Sequence, residues 1–351
     1  MAAVAVGRAR AMSGIVASER PAAVGTRSGR DLDLVAVTPL AIDRPRLRVG
    51  LSAGDRPLVA EGEAVAPGTA LVDVLRDARI EVVAGDGHEP GARVHVGGRR
   101  GEDGTDEGEL LFTDGSRHRL VVGDHVESIE SPAPGVVRSV RPGIELVVEL
   151  DGSALPGTLA LGVPTHGRLE LATDEGGELR PGSVDVGRAG TILVVGSRVD
   201  AETLTRARAM GVRGIVVAAL PGKETRDFTA SERRQRAALH RLPPFGVLVL
   251  DGAIRRPIAG PVMGLLRSLE GREVGLSIDP PGLVFGADPP APPPADLVIV
   301  RGGPLAGRSG AFAGLAGVRR FAAGVHLEAA FVRFPTGETH PVPLGDLVRF
   351  G

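Results

Sequence analysis

Residues 190–220, GTILVVGSRVDAETLTRARAMGVRGIVVAAL, constrain the fold of this chain more than any other stretch. Residues 191–195 are a short apolar run rich in β-branched side chains, which is typical of a strand buried on both faces of a parallel sheet. Ser197 and Asp200 are spaced as a capping pair for a following helix. Residues 214–219 are a second apolar run, so the stretch predicts a strand, a helix and a parallel strand with a right-handed crossover.

The same alternation continues along the chain. Thr229 and Glu232 predict the start of a second helix, and a third apolar strand follows it. Pro257 suits the first turn of a third helix, because the N–H that proline lacks has no partner there. Residues 273–278 predict a fourth strand. We therefore expect residues 186–285 to form a small three-layer α/β domain with a parallel sheet.

Residues 31–155 predict an all-β domain, because short β-segments alternate there with Gly and Pro and show little helical periodicity. Two segments stand out, residues 61–71 (EGEAVAPGTAL) and residues 122–137 (VGDHVESIESPAPGVV). Both resemble the barrel-sandwich hybrid, the fold of biotinyl and lipoyl carrier domains and of the N-terminal part of RnfC-type electron-transport subunits. The resemblance implies that residues 31–155 have this fold, and residues 156–185 then form a β-rich connection.

The resemblance does not extend to the cofactors of those families. A biotinyl or lipoyl domain needs a lysine at a hairpin tip between the two segments, and Lys223 is the only lysine of the chain. That region instead contains residues 97–109, a polar, Gly-rich stretch that predicts a flexible loop. The chain has no cysteine, which excludes disulfides and iron–sulfur ligation by thiolates. We expect no cofactor.

Residues 296–351 predict a small SH3-like barrel, preceded by an extended Pro-rich linker at residues 286–295. Residues 298–310 (VIVRGGPLAGRSG) resemble the KOW motif of NusG-like transcription factors and several ribosomal proteins, with a strand, a Gly-Pro pair and two glycines three residues apart. The resemblance implies contact with RNA, with the ribosome or with a transcription complex. Arg301 and Arg308 are the side chains that we expect to contact nucleic acid or a protein partner.

Taken in order, these modules resemble a family of uncharacterised bacterial multidomain proteins, over the chain from about residue 46. No activity follows from this resemblance. Residues 1–30 carry scattered arginines and no sustained apolar region, so we expect them to be disordered rather than a signal peptide. No apolar run is long enough to cross a bilayer. We expect a cytoplasmic protein without membrane contact.

A ligand of the α/β domain is expected at the carboxyl ends of its strands, where open α/β sheets bind small molecules. Those ends are Gly196, Ser197 and Arg198 after the first strand, Gly222 and Lys223 after the second, and Asp251 and Gly252 after the third. Helix N–H groups with Ser197, Arg198 and Lys223 suit a phosphate or a carboxylate. The alternative is that Ser197 only caps the helix and that the basic side chains are solvated. Neither GxGxxG nor GxxxxGK[ST] is present, which disfavours the usual nucleotide sites.

No pattern in the sequence predicts catalytic residues or a metal site. The GxSxG and HExxH motifs are absent, and Asp200 with Glu202 is better explained by the helix dipole than by acid–base chemistry. The eight histidines are dispersed, and only His118 and His125 lie close in the sequence.

We therefore expect a non-catalytic multidomain protein whose barrels dock a protein partner. Two alternatives stay open. One is a KOW-mediated RNA, ribosome or transcription-complex binder, and the other is an enzyme, or an anion or nucleotide binder, with its site at the strand ends. The net charge of −2 argues against a nucleic-acid or membrane footprint over the whole chain. The sequence leaves the partner, the ligand and the oligomeric state open.

Overall fold

The computed structural model describes residues 31–84, 88, 90–95, 107–114, 117–238, 242–286 and 293–351. The expected disorder of residues 1–30 lies outside these ranges, as do residues 97–106 of the predicted loop and residues 287–292 of the predicted linker. In the described part no helix is long and apolar enough to cross a membrane.

The described residues form four β-sheets and three α-helices. The helices are α1 (Ala201–Ala209), α2 (Gly222–Ala238) and α3 (Gly260–Ser268). The strands, in chain order, are β1 (Ala36–Thr38), β2 (Ile42–Asp43), β3 (Arg46–Gly50), β4 (Arg56–Pro57), β5 (Ala64–Val65), β6 (Ala70–Ala84), β7 (Arg93–His95), β8 (Glu107–Asp114), β9 (Arg117–Glu130), β10 (Gly135–Arg141), β11 (Glu145–Leu150), β12 (Ser153–Pro156), β13 (Leu159–Gly162), β14 (Thr165–Leu171), β15 (Thr191–Val195), β16 (Gly214–Val217), β17 (Gly246–Val249), β18 (Glu273–Ser277), β19 (Gly282–Phe285), β20 (Leu297–Val300), β21 (Ser309–Arg320), β22 (His326–Arg333), β23 (Thr339–Pro343) and β24 (Leu347–Phe350).

The largest sheet has nine strands in the order β13-β17-β16-β15-β14-β18-β19-β12-β2. Strands β14 to β17 pair in parallel, and every other pairing in this sheet is antiparallel. The predicted parallel sheet is therefore the centre of a larger mixed sheet. Strand β14 of this sheet lies in the segment that was expected to be a connection. The predicted fourth strand, β18, pairs with β14 in the antiparallel direction.

Helices cover both faces of this sheet. The side chains of β15 alternate between the faces, so that Leu193 packs in the cluster that contains Leu204 of α1 and Phe228 of α2. Ile192 packs on the opposite face, in the cluster that contains Leu266 of α3. All five residues of β15 are buried, as the continuous apolar run predicts.

Two predicted helix starts are wrong. Helix α2 begins at Gly222 rather than at Thr229, and its buried first-turn residue is Glu224, which apolar periodicity does not detect. Helix α3 begins at Gly260 and has a proline in its first turn, but that proline is Pro261 and not Pro257. The element types were predicted correctly. The start of α2 was displaced because its polar first turn lacks an apolar pattern. The start of α3 was displaced because Pro257 and Pro261 both suit the first turn of a helix.

The two segments that resemble the barrel-sandwich hybrid pair with each other. The backbone N–H of Gly62 donates to the carbonyl of Val137 (2.8 Å), and the N–H of Val137 donates to the carbonyl of Glu63 (2.9 Å). The N–H of Gly68 donates to the carbonyl of Ser131 (2.9 Å). These segments join two antiparallel sheets, with strand orders β3-β11-β10-β5 and β4-β6-β9-β8-β7.

The longest described strands, β6 and β9, have 15 and 14 residues and pair antiparallel, although β7 and β8 come between them in the chain. Among the described residues, the outer part of this strand pair pairs further only with β8, which in turn pairs with β7. We call this outer part the arm; its described residues are 79–84, 90–95, 107–114 and 117–122. A cluster of Leu110, Leu120 and Val122, with Val83 against it, forms its small core.

The last module is a six-stranded sheet in the order β1-β24-β20-β21-β22-β23. Strands β20 to β24 pair antiparallel, and β1, from the other end of the described chain, pairs in parallel with β24. Val35 packs in the same cluster as Val298 and Val332, so the segment before β1 is part of this module's core.

Candidate functional site

The carboxyl end of β15 is closed by residues 173–178 of the same chain. The N–H of Gly196 donates to Oγ1 of Thr173 (2.8 Å), and the N–H of Ser197 donates to the carbonyl of Gly177 (2.7 Å). The Ser197 hydroxyl donates to the carbonyl of Gly176 (2.8 Å), and this side chain is 3% exposed. Ser197 therefore holds a loop against the strand end, and it does not cap α1.

Two carboxylates occupy the N-terminus of α1, where the sequence predicts a bound anion. Asp200 Oδ1 accepts a hydrogen bond from the N–H of Thr203 (2.7 Å), and Glu224 Oε2 accepts one from the N–H of Ala201 (2.9 Å). Arg198 lies 3.9 Å from Glu224, between Nη2 and Oε1. The positive end of the helix dipole and the guanidinium of Arg198 thus already have acidic side chains of the protein as partners.

The other two residues of the predicted ligand site, Gly222 and Lys223, start α2 and are exposed. They line none of the three cavities that follow, and neither do Gly196, Ser197 and Arg198. Ligand binding by these five residues stays a prediction, and the geometry supplies an internal partner for three of them.

Both arginines predicted to contact RNA or a partner interact within the protein. Arg301 donates through Nη2 to Oδ1 of Asp251, which follows β17 in the nine-stranded sheet. The guanidinium carbon of Arg308 lies 4.2 Å from the ring centroid of Phe334, a cation–π contact within the last module. Contact between these two side chains and a nucleic acid stays a prediction.

A half-open cavity of about 160 Å³ lies where the last module meets the nine-stranded sheet. We call it the interface cavity. Leu250 and Asp251 form its floor at the carboxyl end of β17, and Ile258 adds a wall. Ile299, Arg301 and Phe350 contribute from the last module. The cavity lies at the edge of the sheet where the strand-end rule places a ligand. Nothing in the sequence indicates that Ile299 and Arg301 cover this edge.

A second cavity, of about 520 Å³, lies between the base of the arm and the nine-stranded sheet, and a chain of ion pairs crosses it. Glu127 accepts from Nη1 of Arg236 (2.8 Å), and Glu232 lies 3.5 Å from the same guanidinium. Glu232 is also 3.4 Å from Arg208, whose pKa is lowered because its side chain is buried. A third cavity, of about 510 Å³, adjoins the other side of Arg208. This network joins β9 to α1 and α2.

One face of the arm exposes three large apolar side chains. Ile80, Val82 and Phe112 are 64%, 58% and 55% exposed. Val82 and Phe112 are both paired across the sheet with Arg119, so the three side chains project on the same face. Arg117 and Arg119 are exposed beside them, and neither has an ion-pair or hydrogen-bond partner among the described side chains. We call these five residues the arm face. Sequence reasoning missed it, although alternation in residues 79–84 is the signal that could have found it.

Of the two histidines that lie close in the sequence, the structure describes the side chain of His118. His118 is 1% exposed, with Nδ1 3.1 Å from Oγ1 of Thr113 and its ring centroid 5.6 Å from that of His88. The side chain of His125 lies outside the described residues. Among the described residues no group of three or more His, Asp or Glu side chains is placed to hold a metal ion.

No protein family, no curated protein and no solved structure matches this chain.

Proposed function

We propose that the protein is a non-catalytic, cytoplasmic multidomain binding protein that docks an acidic protein partner on the arm face. The observation that carries this proposal is the set of Ile80, Val82 and Phe112, each more than half exposed, on one face of the arm. Contiguous apolar patches on monomers mark interaction sites, whereas single exposed apolar residues need no explanation. Covering such a side chain contributes about 1.5–3 kcal/mol.

The charge of the arm face supports an acidic partner. Arg117 and Arg119 are on β9, between the strand that carries Ile80 and Val82 and the strand that carries Phe112. Neither arginine has a carboxylate partner among the described residues. Arginine and aromatic side chains are enriched at protein interfaces, and complementary charge speeds association. A partner surface that presents Asp or Glu between apolar side chains would satisfy both features.

The remaining modules serve in this proposal as a rigid body that carries the arm. We infer a barrel-sandwich hybrid for the two antiparallel sheets, because the two glycine-containing segments that resemble that fold pair with each other. We infer an SH3-like barrel for residues 297–350, because a β20–β23 meander is closed by β24 against β20 after a 3-10 turn at Leu344–Asp346. An RNA-binding role for this barrel is less supported, since Arg301 and Arg308 already contact Asp251 and Phe334.

The proposal is tested with the full chain, expressed in its native cells with a photo-crosslinking amino acid at position 82. The matched control carries the same amino acid at position 186, because Val186 is also exposed (72%) but lies far along the chain from the arm. We expect a crosslink to an acidic protein from position 82 only. Arg119→Glu should abolish that crosslink, and high salt should weaken it.

The dissociation constant for the purified partner then shows whether the partner binds the arm face or binds exposed apolar side chains in general. The variant Ile80→Ser/Val82→Thr/Phe112→Ser should bind at least tenfold more weakly. Ile144→Ser/Val186→Ser, which changes residues that are 60% and 72% exposed, should bind within twofold of the wild-type protein. Equal crosslinking from both positions, crosslinking to a second copy of the chain, or capture that nuclease abolishes would overturn the proposal.

A further inference from the structure

The interface cavity combines two positions at which proteins bind small molecules. It lies at the carboxyl ends of β16 and β17, represented by Ala218 and Leu250, where open α/β sheets place their ligands. It also lies between two modules, because Ile299 and Phe350 of the last module cover it. Its position therefore indicates a ligand site on two independent grounds.

The charged end of this cavity has an excess of positive charge. Asp251 accepts from Arg301 through Oδ1 and from Nη1 of Arg256 through Oδ2, the latter at 3.2 Å. Two guanidinium groups thus share one carboxylate. Arg301 lines the cavity, whereas Arg256 contacts Asp251 from outside the lining. A second carboxylate beside Arg301 would balance the charge and accept from the guanidinium N–H groups that Asp251 leaves unused.

The rest of the cavity is apolar and small. Ile258, Val262, Ile299 and Phe350 are among its walls. Its volume of about 160 Å³ is close to that of apolar protein cavities that hold one benzene molecule. A nucleotide or a peptide would not fit in this space.

We propose that the interface cavity binds a small apolar carboxylic acid, with the ring or branched chain against the apolar walls and the carboxylate beside Arg301. This site is separate from the arm face, so it goes beyond the proposed docking function and can fail or succeed independently of it. Because the ligand would contact the nine-stranded sheet and the last module together, its binding would stabilise their contact.

Benzoate is the probe, and benzamide and benzylamine are its neutral and cationic counterparts. We expect benzoate to raise the thermal unfolding midpoint of the full chain in a saturable way, and calorimetry to give one site. Benzamide and benzylamine should bind at least tenfold more weakly, because the first has no charge and the second repels the two guanidinium groups.

Two variants test the location of the site. Arg301→Gln removes one guanidinium, and Ala259→Leu fills the cavity from a residue of its wall. Each should weaken benzoate binding at least tenfold, whereas Arg308→Gln, which removes one positive charge from the same module, should leave it within twofold. The thermal unfolding midpoint of each variant without ligand shows whether it folds. If only one of Arg301→Gln and Ala259→Leu folds, that variant alone tests the location of the site.

The proposal is wrong if benzoate gives no saturable shift at millimolar concentration. It is also wrong if benzylamine binds as tightly as benzoate. It is wrong, too, if a folded Ala259→Leu or Arg301→Gln variant binds benzoate as tightly as the wild-type protein does.

Discussion

Arg301 of the last module donates a hydrogen bond through Nη2 to Oδ1 of Asp251, which lies at the carboxyl end of β17. The same carboxylate accepts from Arg256, so Asp251 joins a loop of the nine-stranded sheet to a strand end of the last module. Pro257 of that loop packs close to Gly307, where an added Cβ would lie 3.0 Å from the proline Cδ. The contact between these modules is therefore both ionic and steric.

This relationship predicts unequal effects for its two partners. Arg301→Ala should lower the free energy of unfolding by about 0.2–1 kcal/mol, because the Arg301 side chain is 43% exposed and such pairs contribute little. Asp251→Ala should lower it by about 1–3 kcal/mol, because it also leaves the largely buried Arg256 without a carboxylate. Urea unfolding followed by circular dichroism measures both values, since the chain has no Trp or Tyr for fluorescence. Equal effects of the two substitutions would contradict this account.

Gly196 is predicted to tolerate no side chain. A Cβ at this position would lie 2.1 Å from the carbonyl oxygen of Asp174 and 2.6 Å from the backbone nitrogen of Gly177. Gly196→Ala should therefore destabilise the protein by about 1–3 kcal/mol through overpacking, as judged by urea unfolding. The matched control is Gly264→Ala in α3, where a Cβ meets nothing within 4 Å. That substitution should stabilise the protein by about 0.5–1 kcal/mol, because alanine is the better helix former.

The N-terminus of α1 is predicted to depend on Asp200 and not on Ser197. Asp200→Ala should cost about 1 kcal/mol, whereas Asp200→Asn should cost much less because asparagine retains a capping oxygen. Ser197→Ala removes the hydrogen bond to Gly176, so its effect should appear as faster amide hydrogen exchange in residues 173–178. Faster exchange in α1 of the Ser197 variant, with residues 173–178 unchanged, would show that Ser197 caps the helix after all.

The sequence predicts the centre of the fold best. Residues 191–195 and 214–219 were identified as buried strands because an unbroken apolar run has one simple explanation, and β15 and β16 lie there. The described residues are mostly β, with three helices and several sheets, which agrees with the expected α+β class. The strand β18 was predicted, but its antiparallel direction was not, because an apolar run does not indicate the direction of the strand relative to its neighbour.

The candidate sites were harder to predict, because they depend on contacts between distant residues. Asp251 and Arg301 are 50 residues apart, and no local pattern indicates that they meet. Ser197 and Asp200 are both suited to capping, and only the carbonyls of residues 176 and 177 decide that Ser197 does something else. The arm face depends on strand register, since Val82 and Phe112 share a face only because both pair with Arg119, which lies between them.

Glu149 provides a prediction about pH. A hydrogen bond from Nη2 of Arg138 (2.7 Å) lowers the pKa of Glu149 below its usual value, and Arg46, at 3.6 Å, lowers it further. Because the pKa is lower in the folded state than in the unfolded state, the resulting stabilisation is present above the unfolded-state pKa. It is lost as the pH falls through the folded-state pKa.

Arg138→Gln should therefore raise the pKa of Glu149, and Arg46→Gln should raise it less, because the hydrogen bond from Arg138 is the main cause of the shift. A carbon-13 NMR titration of the Glu149 carboxyl group measures both changes. The Arg138 variant should also lose less stability than the wild type when the pH is lowered, since it has less of the pH-dependent stabilisation to lose. An unchanged Glu149 pKa in this variant would show that Arg138 does not hold the carboxylate in solution.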